Sequence, residues 1–262
     1  MAKETFAYPE THRLLELLDE VAHRSAISRG QAFEDFLHMT VCSLSGGEME
    51  DAYLQTVKKH TAGERGKRGC DVIARMFGEL VAQSETTRDD MKDLLGDLFQ
   101  GAITYGERGQ FLSPMPICRL MAQINVADLP AEETTPKRSV CDPCCGSGRM
   151  LLAVAELHRN WEFTGQDIDL RCVRITAINL ALRNLYGYVI HGNSLTNQHW
   201  LVYRTGFNLR GFIRELPLAA CPVPVQRAVR QSEVAAAPAV EAATGPATGD
   251  QSTEPKKQLF LF

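Results

Sequence analysis

From residue 11 to residue 45, apolar residues recur at three- and four-residue intervals, the period of an amphipathic helix. Thr11 stands as an N-cap candidate ahead of Leu14, Leu15, Leu17, Leu18 and Val21, and RGQAFEDFLHMTVCSL repeats the pattern. The periodicity predicts further helices over 52–61 and 70–83, and another from about Thr87 through SETTRDDMKDLLGDLFQGAI. The link KKHTAGERGKR (58–68) is basic and contains glycine, and reads as a solvated loop.

The pattern changes after Gly101. GQFLSPMPICRLMAQI reads as a turn followed by a helix starting after Pro116. Short apolar runs then alternate with helical stretches. RSVCDP is a strand, GRMLLAVAELHRN a helix and WEFTGQDI a strand; DLRCVRITAINLALRNL is a helix and YGYVIHGNSL a strand. Strand–helix alternation with short links predicts an α/β fold with a parallel, doubly wound sheet. Ligands of such sheets bind beyond the carboxyl ends of the strands. The chain therefore divides into a helical N-terminal region (1–100) and an α/β domain (101–230). A segment rich in Ala, Pro, Thr and Gly follows (231–257), and then the pentapeptide QLFLF (258–262). Residues 231–257 lack large apolar side chains and read as a disordered linker.

Charge alters this picture in one respect. The formal net charge of -4 excludes a uniformly basic coat, but between Arg171 and Arg230 there are eight arginines, no lysine and one acid, Glu215. Residues 1–100 carry eighteen acids and twelve bases. That skew makes Arg204, Arg210 and Arg214 candidates for contact with DNA phosphates or an acidic partner, a contact that salt would weaken. The opening MAKETFAYPE contains no signal-like or membrane-spanning run, so the chain reads as cytoplasmic with no membrane partner. Its eight cysteines then read as reduced thiols. Cys141 and Cys144 have C-x-x-C spacing, but no second pair at short spacing completes a metal site, so no metal is assigned.

The loop DPCCGSG carries the candidate chemistry. Gly146 and Gly148 follow a strand and open a helix, as in nucleotide-binding loops. Leu151 stands where a dinucleotide fingerprint needs its third glycine, and no lysine marks a P-loop. The loop is instead led by an acid, Asp142, and a second acid, Asp167, ends the next strand. An acid at the second strand tip commonly accepts hydrogen bonds from ribose hydroxyls. An acid in the loop suits an ammonium group. S-adenosylmethionine has an ammonium and a ribose but no phosphate, and fits these residue types better than a phosphate-bearing cofactor.

These residues resemble the adenine-specific DNA methyltransferases, particularly the modification subunits of type I restriction systems. DPCCGSG (142–148) is similar to their Asp-Pro-x-x-Gly-Ser/Thr-Gly loop, and GQFLSP (109–114) to their upstream Gly-Gln-Phe/Tyr-x-Thr-Pro stretch. GQDID (165–169) is similar to Gly-x-Glu-x-Asp, and NLALRNLYGYVIHGNSL to the segment leading into Gly-Asn-Thr-Leu. The likeness covers about 88–196. It implies a Rossmann-like S-adenosylmethionine-dependent methyltransferase core, here shortened. It also implies S-adenosylmethionine as cofactor, DNA as partner and restriction-modification as context. Gln110, Phe111, Ser113 and Pro114 would line the methionine end. Asp142, Cys145, Gly146 and Gly148 would form the main loop, with Asp142 on the amino group. Asp167 and Ile168 would hold the ribose and the adenine edge, and Asn193 and Leu195 would finish the adenine pocket. On the residues alone, Phe111 and Ile168 also read as core, and Ser113 as a cap before Pro114.

The resemblance stops at the catalytic step. The family presents a flipped adenine to Asn/Asp-Pro-Pro-Tyr/Phe, and no Pro-Pro follows Asn193 in this chain. No catalytic residue is assigned. Trp200, Tyr203 and Phe207 read as apolar packing, and too few residues remain for a full methyltransferase sheet or a target-recognition domain. Two functions stay open. One is a cofactor-binding methyltransferase relative that transfers methyl groups with help from a specificity subunit or other partner chain. The other is a non-catalytic, DNA- or clamp-associated adaptor, a pseudo-methyltransferase. The clamp enters through QLFLF, which is similar to the sliding-clamp-binding pentapeptide of bacterial replication proteins. Gln258, Leu259, Leu261 and Phe262 match it, and Phe260 departs from its third position. The other reading of QLFLF is docking onto the protein's own core, for example at an unpaired sheet edge.

Overall fold

The computed structural model describes residues 5–87, 89–104, 111–129, 138–208, 211–222 and 258–260. Four helices open the fold: α1 (Thr11–Ser25), α2 (Arg29–Ser43), α3 (Glu50–Lys58) and α4 (Gly69–Thr86). The apolar stripe of α1, from Leu14 to Val21, is buried as its spacing predicts. Ser28 caps α2, accepting a hydrogen bond from the Gln31 amide.

The helix expected from about Thr87 is broken. α4 already covers Ser84–Thr86, and after an irregular stretch Asp93 caps a short helix, α5 (Leu94–Leu98), which runs into a π-helical turn over Phe99–Thr104. The reason lies in Asp93, whose carboxylate accepts from the Gly96 amide and fixes a new helix start. Helix α6 (Met115–Val126) begins one residue before Pro116, which occupies its first turn where no intrahelical N–H is needed.

The sheet strands are β1 (Ser139–Asp142), β2 (Glu162–Asp167), β3 (Gly187–Asn193), β4 (Gln198–Asn208), β5 (Gly211–Leu216) and β6 (Gln258–Phe260). Helix α7 (Arg149–Leu157) links β1 to β2, and α8 (Leu170–Leu182) links β2 to β3. The sheet order is β5-β4-β3-β2-β1-β6. β1, β2, β3 and β6 are parallel, whereas β4 and β5 return antiparallel beyond β3. The doubly wound parallel sheet expected from the alternation is therefore a mixed sheet. Asn193 explains the turn: its side chain accepts from the Leu195 and Thr196 amides and folds 194–197 into a hairpin connection, leaving no room for a crossover helix.

β1→β2→β3 steps in one direction, so right-handed crossovers put α7 and α8 on the same face. One apolar core fills that face and continues into the N-terminal helices. It joins Val140, Phe163, Val189 and Tyr203 of the sheet to Leu14, Phe33 and Phe36. Trp200 and Phe207 are not part of it: they are 47% and 64% exposed, against His191 and Phe212 respectively. All eight cysteines are free thiols.

The pentapeptide's first three residues form β6, in register with β1 as Ser139↔Gln258, Val140↔Leu259 and Cys141↔Phe260. The segment thus lies along the protein's own sheet edge. Leu261 and Phe262 lie outside the described residues, as does the linker 231–257. Among the described residues no helix is long and apolar enough to cross a membrane.

Candidate functional site

Strand order reverses at β1, with β2 and β3 on one side and β6 on the other, and the glycine loop leaves the carboxyl end of that strand. This is the switch point at which α/β sheets bind ligands. Asp142 ends β1 and pairs in register with Gly165, two residues before Asp167 at the tip of β2. Side chains two apart share a sheet face, so both carboxylates lie on the same face of neighbouring strands.

Each carboxylate holds one part of the loop between them. The Cys144 amide donates to Asp142 Oδ1 at 3.1 Å, and the Gly146 amide to Asp167 Oδ2 at 2.9 Å. The Asp169 amide donates to the other oxygen of Asp167. Asp142 is 3% exposed. Burial pushes its carboxyl up to about 6, outweighing the Cys144 hydrogen bond; the nearby negative charge of Asp167 adds to the rise. Burial raises the Asp167 carboxyl as well, against the hydrogen bonds it accepts. Two acids with raised affinity for positive charge, one at each strand tip, suit a cationic ligand.

The glycines are needed for shape. Gly146 has φ +54°, and a Cβ there would stand 2.7 Å from Leu112 Cδ2. Gly148 has φ +87° and sits against Thr176 of α8, whose hydroxyl donates to the Gly146 carbonyl. A Gly148→Ala variant is expected to lose about 1–2 kcal/mol in urea denaturation from left-handed backbone strain alone. A loss below 0.5 kcal/mol, on the order of a neutral surface change, would show that the loop tolerates a side chain.

A cavity of about 260 Å³ opens beside the loop, lined by Leu112, Ser113, Asp142, Cys144, Gly146 and Met150 among others. Asp167 stands outside that lining, beyond the Gly146 amide that it binds. A larger cavity of about 640 Å³ lies next to it, lined by residues including Tyr8, Asp97, Gln100, Phe111, Leu112 and Arg149. Phe111, Leu112 and Arg149 border both.

The remaining residues read from the sequence distribute as follows. Phe111 and Ile168 are 74% and 61% exposed, so neither is core. The Ser113 carbonyl accepts from Arg149, and Pro114 rather than Ser113 occupies the N-cap of α6. Cys145 is buried, with its amide donating to the Gln166 carbonyl. Leu195 is 95% exposed beyond Asn193. Gln110 and Arg210 lie outside the described residues. Arg204 pairs in register with both Tyr188 and Arg214, at the amino end of β3. The antiparallel course of β4 carries it there, away from the Asn193 tip. Arg214 also contacts Glu48 at 3.2 Å. Part of the arginine skew is internal: Arg183 is 1% exposed and donates to the Lys92 carbonyl. Burial lowers its guanidinium to about 10.

The sequence reading missed the group behind the loop. Asp93 is fully buried and accepts from Ser147 Oγ (2.5 Å), Arg149 Nε (2.8 Å) and Asn179 Nδ2 (2.8 Å) as well as from the Gly96 amide. Asn179 also donates to the Ser147 carbonyl. One carboxylate therefore ties the glycine loop, α7 and α8 to the start of α5. A signal existed: Arg149 begins a helix, where the dipole disfavours a cation unless an acid faces it.

Comparisons with known proteins match the chain in one region. Residues 90–208 match the family model described as N-6 DNA Methylase, a span that takes in Asp93, both carboxylates of the site and β1 to β4. Among solved structures, the type I restriction-modification system methyltransferase subunit from Streptococcus thermophilus is similar at 14% identity and a TM-score of 0.35. That match covers 67% of this chain and 56% of the subunit, so the chain spans little more than half of it. No curated protein matches the chain.

Proposed function

We propose that this chain binds S-adenosylmethionine at the tips of β1 and β2 and serves adenine-directed DNA methylation in a restriction-modification context. The observation that carries the reading is the pair Asp142 and Asp167, on one sheet face, with the Gly146–Gly148 loop held between them. Their chemistry fits the cofactor's two polar ends. Asp142, inside the loop cavity, would take the ammonium; Asp167 would take the ribose hydroxyls, with Ile168 exposed beside it for the adenine. Phe111 and Leu112 would cover the methionine end. When bound, the cofactor supplies an electrophilic methyl group on a sulfonium. The chain's own residues bind and orient it.

A specific observation favours a non-catalytic role for the chain by itself. Amine methylation needs an acceptor for the amine protons and an aromatic platform for the flipped base. The segment after Asn193 contains no Pro-Pro-aromatic sequence and builds the β4–β5 hairpin instead. Transfer would then require a partner chain supplying those groups. Clamp docking through 258–262 would require β6 to leave β1, because the same residues cannot occupy both places.

Equilibrium dialysis with labelled S-adenosylmethionine, followed by methyl transfer to adenine-rich duplex DNA, tests the proposal. The expected result is saturable binding with no transfer by the isolated chain. Transfer by the isolated chain would reject the adaptor reading, and absence of binding would reject both.

A further inference from the structure

Within the N-terminal helices three polar side chains form a relay. Helix α1 ends at Ser25, where Ala26 turns left-handed at φ +51°. Two residues past α3, His60 turns inward, at the start of the link 58–68 that reads from the sequence as solvated. It is 1% exposed, and both of its ring nitrogens are engaged. Ser25 Oγ lies 2.7 Å from His60 Nδ1, and His60 Nε2 lies 3.2 Å from Oδ2 of Asp35 in α2. We propose that Ser25, His60 and Asp35 form a second active site, a nucleophilic serine centre that hydrolyses short-chain esters.

Donor chemistry sets the direction of the relay. An ionised carboxylate only accepts, so His60 Nε2 carries the proton of the neutral ring. Nδ1 then presents its lone pair, and the Ser25 hydroxyl donates to it. Asp35 is held for this role: Gln31 Nε2 and Lys59 Nζ, each at 3.2 Å, donate to Oδ1 and leave Oδ2 to His60. Nucleophile, base and orienting acid in this order are the arrangement that activates a hydroxyl. Ser25 itself is half-buried, with Gly69 in the first turn of α4 packed directly on it. A Cβ on Gly69 would stand 2.0 Å from Ser25 Oγ. The positive end of an 18-residue helix therefore lies where an oxyanion on the attacked carbonyl would form.

A cavity of about 490 Å³ is lined by His23, Arg24, Ala62, Gly63, Glu64 and Lys67, from the stretches adjoining Ser25 and His60 in the chain. Its polar lining suits a short ester rather than a lipid. In the proposed step, Ser25 Oγ bonds to the ester carbonyl carbon as its proton passes to His60 Nδ1, and the carbonyl π electrons move onto oxygen. When the tetrahedral adduct collapses, the bond to the alkoxy oxygen breaks and His60 returns the proton to the departing alcohol. Water then attacks the acyl-serine by the same route and releases the carboxylic acid. Ser25 and His60 are the catalytic residues, and Asp35 positions the ring.

A fluorophosphonate probe, which phosphonylates activated serines, tests this on the full chain alongside hydrolysis of p-nitrophenyl acetate. Wild type is expected to take up one phosphonyl group, located at Ser25 by mass spectrometry, and to hydrolyse the ester above the buffer rate. Ser25→Ala should lose both while keeping a cooperative melt. Asp35→Asn should slow labelling by about 100-fold, because a neutral amide lets the ring proton sit on Nδ1, where it blocks the hydroxyl's donation. If Asp35→Asn does not fold, His60→Gln is measured in its place and should show the same loss. An acid with only a structural role would shift the melting temperature and leave the labelling rate of the folded chain unchanged. A folded wild type that stays unlabelled, a label at another residue, or hydrolysis that survives Ser25→Ala would overturn the inference. So would wild-type labelling rates in the folded Asp35→Asn or His60→Gln chain. Labelling is read without S-adenosylmethionine, so this inference and the proposed function fail separately.

Discussion

Replacement of Asp93 by alanine is expected to lower the unfolding free energy by about 3–5 kcal/mol in urea denaturation, the cost of removing one partner from a buried ion pair. Arg149 Nε, 2.8 Å from Asp93 Oδ2, would keep its charge in a site only 8% exposed. Ser147 and Asn179 would lose their acceptor together. Asp93→Asn should fall between the two: it keeps an acceptor for the Gly96 amide but no negative charge. Damage should also reach the ligand, since Ser147 lies within the glycine loop. A loss of less than 1 kcal/mol in Asp93→Ala, on the order of an exposed substitution, would mean that the network does not hold the loop.

How much of this was legible depends on the range of the interaction. Local period gave α1, α2, α7, α8 and the first three strands, because each is built from residues that announce their own face. The glycine loop and its leading acid were legible for the same reason: Asp142, Gly146 and Gly148 sit within seven residues, and Asp167 stands at the end of its own short strand. Asp93 was hidden because its meaning lies 54 and 86 residues away, at Ser147 and Asn179. Its polar side chain also stood inside an apparently continuous helical pattern, which it breaks. The β4–β5 return was hidden by the apolar composition of 198–208, which reads as packing until Asn193 is seen to cap the turn before it. Trp200 and Phe207 show that an aromatic side chain in a strand does not choose the core by size. They lie near the two ends of β4 and meet solvent, while Tyr203 at its middle is buried.

Asp142→Asn is expected to do two opposite things. In the free protein, the folded carboxyl titrates near 6, above its ordinary value of 3.8. The folded state therefore holds this proton more tightly than the unfolded state. The associated stability is present below about pH 4 and is lost as pH rises through about 6. Asparagine is free of that loss. The variant should be about 1–3 kcal/mol more stable than wild type at pH 8, with the advantage gone at pH 4. It should also lose S-adenosylmethionine affinity by about 100-fold, consistent with removing a charged hydrogen-bond partner from a buried ammonium. A purely structural acid would show the stability gain without the affinity loss. A variant less stable than wild type at pH 8 would show that the ionised carboxylate supports the free fold.

The central claim, that Asp142 receives the cation of a sulfonium nucleoside, is tested most directly by calorimetric titration with S-adenosylmethionine at pH 6. The titration is run in two buffers of different ionisation heat. With the carboxyl half-protonated near that pH, binding is expected at one site per chain, with about half a proton released to the buffer as the ammonium arrives. Absence of binding heat in both buffers up to millimolar ligand, or binding that releases no proton, would contradict it.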